Sequence, residues 1–241
     1  VVKPIMISKK GEWQFDNKKM SPFACLENVD VVFNAMHGEF GEDGTIQGFL
    51  DTLKIPYTGA GQNASVIGID KLLTKLLLIE QGIRTPRYKV ITSGREIDNL
   101  PFKLPVVVKP NGRGSSVGVS IVKSNNELKQ ALKKAFILDN SVIIEEFIKG
   151  TEITVGVLEN FRGQKYYALP VTEIVPDKRF VFFDYEAKYT DGATAEITPA
   201  RISAKLTKEA QYLGVKVFQT IGVRHYSRVD MIIDKNNNIL Y

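Results

Sequence analysis

The sequence predicts a mixed α/β protein with more than one sheet, on three observations. Short β-branched runs, at 106–108, 119–122, 141–147 and 228–233, alternate with segments whose apolar residues recur at helical spacing, at 70–81, 125–136 and 206–221. Glycine-, serine- and asparagine-rich turns join several runs, so hairpins intrude among the crossovers. A 241-residue chain with 44% hydrophobic and 24% charged residues can build two compact domains or one large one around a real core.

Residues 1–28 are weakly patterned, with a basic cluster at Lys9, Lys10, Lys18 and Lys19. Residues 29–35 are mostly apolar and read as a buried parallel strand, which runs into the loop HGEFGEDG at 37–44. Loops after the carboxyl ends of such strands are where α/β sheets bind ligands. A helix is expected over 45–53, a turn at 56–59, and a strong helix over 70–81. Leu72, Leu73, Leu76, Leu77 and Ile79 are expected to form the apolar face of that helix, and Gly82 its stop. Strands follow at 88–92, 141–147, 151–158 and 166–172, with a helix at 125–136. Residues 176–199 break the pattern. They read as a long irregular stretch, and irregular stretches above about 12–15 residues are usually functional or disordered. Its aromatics argue against disorder. A helix at 206–221 and a strand at 228–233 complete the chain, with no internal repeat.

The chain is organised around LPVVVKPNGRGSSVGVSIV at 104–122. It reads as strand, mobile loop, strand. Lys109 ends the first run, and the loop Pro110–Gly118 holds three glycines and two serines. Glycines let backbone N–H groups approach phosphate oxygens, and the hydroxyls add donors. The glycines give G-x-G-x-x-x-G with no G-K-[ST], and the loop leads into a strand, so it matches neither common phosphate fingerprint. An ordinary flexible hairpin is the alternative.

Four further groups are candidates. In SVIIEEFIKGTE, period two puts Glu145 and Glu146 on opposite faces, so one can point inward to an amino group or a sugar hydroxyl; Glu152 follows Gly150. Arg228 and Asp230 share a strand face, which suits a phosphoryl group beside Mg²⁺ or, equally, an internal ion pair. His37 lies in the first glycine-rich loop. Asp184, Glu186 and Lys188 alternate in the long stretch and fit a solvated edge as well as a site. No Ser-His-Asp order, HExxH or zinc spacing occurs, and His37 and His225 are the only histidines.

The net charge of +5 suits a polyphosphate, but it is scattered, without the basic block or aromatic platform of a nucleic-acid binder. The single cysteine, Cys25, excludes an internal disulfide and fits a reducing, cytoplasmic location. No apolar run reaches membrane-span length, and no signal peptide opens the sequence. The chain starts at Val1 and stops at Tyr241 inside an apparent strand, so a fragment lacking both termini is expected. From the residues alone the reading is a soluble nucleotide-binding enzyme that handles phosphate with lysines, Mg²⁺ and an arginine.

HGEFGEDGTIQG, YTGAG, the Asp70-Lys71 helix start, VVVKPNGRGSSVGVS, IIEEFIKGTEITV, FFDYEAKY and SRVDMIID occur in family order, and together they resemble the D-alanine–D-alanine ligases of the ATP-grasp group. The resemblance covers nearly everything from Val29 onward. It implies ATP-grasp architecture: a partial N-terminal α/β substrate domain (1–65), a central lid domain (66–153) and a truncated C-terminal domain (154–241). It also implies ATP-dependent joining of two D-alanines through an acyl phosphate, for peptidoglycan precursors, with Mg²⁺ or Mn²⁺ as cofactor.

By resemblance, Lys71, Lys109 and Lys188 contact the ATP phosphates under a flap at 112–118 that includes Gly114 and Gly118. Glu145 meets the adenine amino group, Phe147 and Ile148 form the hinge, and Glu152 binds ribose. Ser116 or Ser115 pairs with Tyr189 to close the substrate pocket, and His37 lies near the first D-alanine. Arg228 stabilises the phosphorylated and tetrahedral species, and Asp230 is a magnesium ligand. Tyr189 favours D-alanine over D-lactate addition. The family's E-x-N magnesium segment, a later serine loop and an N-terminal glycine-rich segment are not among these residues, so the chain as given is expected to be weakly active or inactive. The resemblance also implies a homodimer, without an interface signal in the residues. The alternatives are another ATP-grasp ligase, including a D-alanine–D-lactate type, and a non-catalytic nucleotide-binding module.

Overall fold

A computed structural model of the protein describes residues 1–93, 100–176 and 194–241. The N-terminal part opens with a three-stranded antiparallel sheet, β1 (Ile5–Ile7), β2 (Trp13–Phe15) and β3 (Lys18–Met20). Three-residue strands are too short to show a period, which is why the sequence looked unpatterned here. Phe15 pairs with Lys18, so Asp16-Asn17 is a two-residue hairpin turn with φ of 51° and 59°, the left-handed values such turns demand. Helices α1 (Pro22–Leu26) and α2 (Thr45–Thr52) complete a small core of Leu26, Ile46, Leu50 and Tyr57.

Residues 29–35 do not form the expected buried strand. Among the described residues only Val32 is bridged, in parallel, to Tyr57, while Val31 and Phe33 are 58% and 74% exposed. A parallel strand is buried only when neighbours flank it and layers cover it, and a single bridge supplies neither.

Helices α3 (Gln62–Ile69) and α4 (Lys71–Glu80) follow. The sequence did not announce α3, because its apolar residues do not gather on one side. Asp70 caps α4 by accepting the Leu73 N–H at 2.8 Å. The buried side of α4 is not the expected leucine face. Thr74, Lys75 and Leu78 point inward, and Leu73, Leu76 and Ile79 are exposed.

An antiparallel sheet then forms in the order β4 (Tyr88–Thr92), β7 (Ser141–Glu146), β5 (Val106–Pro110), β6 (Ser120–Val122). Helix α5 (Asn125–Leu138) covers one face of it, around Val106, Val108, Val122, Ala135, Val142 and Ile144. The strand–loop–strand reading of 104–122 holds, with Val106 opposite Val122.

The largest sheet runs β11 (Thr194–Ile197), β10 (Thr172–Pro176), β8 (Gly150–Phe161), β12 (Tyr226–Asp234), β13 (Ile239–Leu240), with β9 (Gln164–Ala168) also on β8. Strand β11 lies within the stretch expected to be irregular, and pairing with β10 makes it a strand. Residues 177–193, with Asp184, Glu186, Lys188 and Tyr189, lie outside the described residues. Helix α6 (Ala204–Ile221) packs on this sheet around Phe218, Val155, Val157 and Val229. Ala64, Leu78 and Ile83 belong to the same core, so α3 and α4 are rooted in the C-terminal sheet. No described helix is long and apolar enough to cross a membrane.

Candidate functional site

A cleft of about 390 Å³ opens between the four-stranded sheet and the C-terminal sheet, with α4 along one wall. Lys71 and Lys75 enter from α4, Lys109 from the end of β5, and Glu145 from β7. Gly114, Ser115 and Ser116 reach in from the loop after β5, Glu152 from β8, and Arg228 and Asp230 from β12. Residues far apart in sequence thus converge on one cleft.

The floor is a buried charge network. Glu145 Oε2 accepts from Lys109 Nζ at 2.5 Å, and Oε1 lies 3.0 Å from Lys75 Nζ. Glu145 and Lys75 are each only 4% exposed. Burial pushes the Glu145 carboxyl up, but Lys109 and Lys75 overcome it and hold it down at about 2. Burial lowers the Lys75 ammonium, which Glu145 partly offsets. Lys75 also reaches the Pro86 carbonyl at 3.3 Å and lies over the Tyr88 ring. Lys71 donates to the carbonyls of Asn111 at 3.3 Å and Arg113 at 2.5 Å. Burial, and then repulsion by Lys109, lowers it to about 8.

On the C-terminal wall Arg228 grips Asp230 with a two-pronged contact, Nε to Oδ1 at 2.9 Å and Nη2 to Oδ2 at 3.2 Å. Thr154 Oγ1 donates to Oδ1 at 2.8 Å. The internal ion pair left open by the sequence is therefore formed. Both Asp230 oxygens are occupied, and among the described residues no three His, Cys, Asp or Glu side chains group to hold a metal. Asp230 alone is a poor site for the Mg²⁺ or Mn²⁺ that the resemblance implied, an ion held by one or two carboxylates together with waters and substrate phosphates.

The roof is the loop 112–118. Ser115 and Ser116 take left-handed φ of 52° and 59°, turning the backbone over the cleft. Gly118 has φ +74°, and a Cβ there would meet Leu138 at 2.5 Å. Two contacts tie the roof to the first glycine-rich loop: Arg113 Nη1 to Glu39 Oε1 at 2.8 Å, and Ser115 Oγ to His37 Nε2 at 3.3 Å. His37 Nδ1 in turn lies 3.0 Å from Glu42.

Of the residues singled out from sequence, Lys71, Lys109, Gly114, Ser115, Ser116, Glu145, Glu152, Arg228 and Asp230 line the cleft, and His37 touches its roof. Gly118, Phe147 and Ile148 do not line it, and the Phe147 N–H is given to the Pro105 carbonyl at 3.3 Å. Lys188 and Tyr189 lie outside the described residues. Each Glu145 oxygen already faces an ammonium group, so this residue serves the lysines before any adenine amino group. Sequence reading missed Lys75, Arg113 and Tyr241, all on the lining. Lys75 had a signal: it sits four residues after Lys71, hence on the same helical face, in a helix otherwise rich in leucine.

The family profile described as D-ala D-ala ligase N-terminus matches residues 8–60, and the one described as D-ala D-ala ligase C-terminus matches 77–241. A D-alanine–D-alanine ligase of Carboxydothermus hydrogenoformans is 42% identical over 224 residues, covering 89% of this chain and 70% of that protein. One from Syntrophobacter fumaroxidans is 43% identical over 219 residues, covering 89% and 69%. The chain thus spans about 70% of the length of these curated relatives. Among solved structures, VanG D-Ala:D-Ser ligase from Enterococcus faecalis superposes with a TM-score of 0.79 at 30% identity, covering 99% of this chain and 68% of that one. The Bacillus anthracis D-alanine–D-alanine ligase complexed with ATP gives 0.75 at 31%, covering 90% and 68%. The mixed sheets are those of the ATP-grasp fold. With profiles covering most of its length, and relatives above 40% identity across more than two thirds of their own, this chain belongs to the D-alanine–D-alanine ligase family.

Proposed function

We propose that the cleft serves the reaction its relatives are named for, the joining of two D-alanines, at the expense of ATP and for peptidoglycan precursors, with weak turnover by the chain as given. One observation carries the reading: the ammonium groups of Lys71 and Lys109 and the guanidinium of Arg228 open onto one cleft beneath a glycine- and serine-rich roof. Three cations around one pocket suit a triphosphate and the charge that develops as it is transferred.

In this reading Lys71 and Lys109 hold the phosphates, the 112–118 loop covers them, and Glu152 takes the ribose. A carboxylate oxygen of the first D-alanine attacks the γ-phosphorus, giving an acyl phosphate and ADP. The amine of the second, deprotonated, attacks the carbonyl carbon, and phosphate leaves in place of a far poorer leaving group, oxide. Arg228 neutralises the phosphorylated and tetrahedral species, while His37, Ser115 and Ser116 border the amino-acid end. The division at 65 and 153 is functional rather than a separation of cores, since α4 is rooted in the C-terminal core. A cytoplasmic location follows from the use of ATP, and a homodimer remains part of the proposal, to be checked by sedimentation.

The test is incubation of the chain with ATP and D-alanine, following ADP, phosphate and dipeptide. Phosphate release that depends on D-alanine, with dipeptide formed, supports the reading. ATP binding without turnover would favour a nucleotide-binding module. D-Lactate competing with D-alanine across a pH series separates ester from amide formation, because an amine nucleophile must be deprotonated and a hydroxy acid need not be; D-serine, also an amine nucleophile, is told apart by the mass of the dipeptide formed.

A further inference from the structure

We propose that Lys75 is a positioning residue for the phosphate-binding end of the cleft: it fixes Glu145, and through Glu145 it sets the place and free charge of the Lys109 ammonium. This rests on the ATP reading above. Lys75 sits on a helix whose neighbouring positions are mostly leucine, yet its charged side chain is almost completely buried. A buried cation is costly unless paired, and an apolar residue of similar size would fill this space without that cost. Its ammonium is already engaged by Glu145 at 3.0 Å, the Pro86 carbonyl and the Tyr88 ring, so it is not poised to take a phosphate itself. Lys109, on the other side of Glu145, is the more exposed partner and faces the cleft.

The arrangement does two things. Lysines 71, 75 and 109 all line the cleft while Glu145 pairs with only the last two, so the cleft keeps a surplus of positive charge for a polyanion. Without Lys75, Glu145 would neutralise Lys109 alone, and the charge available to phosphate would fall. The bridge also crosses between two cores. Lys75 rides on α4, rooted in the C-terminal core, while Glu145 and Lys109 stand on the four-stranded sheet. It therefore fixes the separation of Lys71 from Lys109, the two ammonium groups that must grip one triphosphate together.

The experiment is calorimetric binding of ATP and of AMP to the chain and to three variants: Lys75→Met, Glu145→Gln and the double variant. The expected result is that Lys75→Met lowers the ratio of ATP to AMP affinity at least about tenfold, the scale of one lost charged contact, and leaves AMP binding within about twofold. In the Glu145→Gln background the same change should shift that ratio by less than about twofold, because Lys75 acts through Glu145. Equal weakening of both nucleotides, no weakening, or a tenfold loss in both backgrounds would overturn the proposal. Should Lys75→Met not melt cooperatively, Lys75→Arg is the second measurement: a cation that still pairs Glu145 should keep the ATP-to-AMP ratio within about twofold of the parent, and a tenfold loss in a cooperatively melting Lys75→Arg would overturn the proposal. A parent chain that binds no ATP would instead sink the functional reading, a distinct failure.

Discussion

Glu39 and Arg113 form an ion pair of 2.8 Å that joins the first glycine-rich loop to the roof of the cleft. Their side chains are 59% and 35% exposed, so solvent screens the pair, and such bridges contribute about 0–1 kcal/mol. That is too little to matter for global stability, but it is of the order needed to hold a short loop. Glu39→Gln should therefore leave the melting temperature nearly unchanged and raise amide exchange over residues 112–118 by about two- to fivefold. Hydrogen-exchange mass spectrometry reads this directly, and unchanged exchange would mean that the roof is held by its own left-handed serines rather than by the pair.

Lys71 makes the site sensitive to pH. Its ammonium is lowered to about 8, so before nucleotide binds it is about half charged there. Between about 8 and the ordinary lysine value of 10.5 the unfolded chain binds more protons at this residue, so its contribution to stability improves as pH rises through that window. Nucleotide affinity runs the other way. Phosphate favours the charged lysine, so binding takes up a proton, and affinity falls as pH climbs above 8. Calorimetry at pH 8 in buffers of different ionisation enthalpy should show uptake on the order of half a proton. Lys71→Met should abolish it.

Glu145 is the residue whose loss should cost most. Glu145→Gln leaves Lys75 buried without its counter-ion, and breaking such a pair from one side costs about 3–5 kcal/mol. The carboxyl is held below its usual range, so its stabilisation is present above the ordinary value of 4.5 and fades as pH falls towards about 2. Urea melts of the parent and variant should differ fully near neutral pH and converge on the acid side. Curves that stay parallel down to pH 3 would show that the lysines do not depend on this carboxylate.

How far the sequence could be read depended on whether a residue's partner was local. The 104–122 hairpin, the helix start at Asp70-Lys71 and the helix at 125–136 were legible because turn residues and spacing act within a few positions. The strand at 29–35 was misread because its apolar residues signal burial, and burial needs a neighbour that the pattern cannot supply. Helix α4 failed in the opposite sense. Its leucines outnumber its polar residues, so the periodicity chose a leucine face, yet Lys75 turns inward to meet a carboxylate on the four-stranded sheet, and Thr74 turns inward to donate to the Ile67 carbonyl. Lys109 and Glu145 were each found singly from their motifs. Their mutual contact, and the third member at Lys75, arise only when α4, β5 and β7 meet.

Gly150 opens β8, the strand that carries Glu152 and Thr154. A Cβ added there would lie 2.1 Å from the Ile233 carbonyl oxygen and 2.8 Å from Ile232 Cγ2. The oxygen belongs to the backbone of a strand paired on both sides, with Thr151 and Ile239, and cannot swing aside as a side-chain tip can. Gly150→Ala should therefore push β8 from β12 and cost about 1–3 kcal/mol, lowering the melting temperature by several degrees. Gly68→Ala is the control: no atom lies within 4 Å of its would-be Cβ, it is inside α3, and the change should stabilise by about 0.5–1 kcal/mol. The shift at β8 should also reach the site. Thr154 pairs with Asp230 across these two strands, and its hydroxyl holds the carboxylate that holds Arg228. In a D-alanine-dependent turnover assay Gly150→Ala should then lower the rate more than its fraction unfolded accounts for. A rate that follows only the folded fraction would mean that the Arg228–Asp230 pair keeps its geometry without the register of β8.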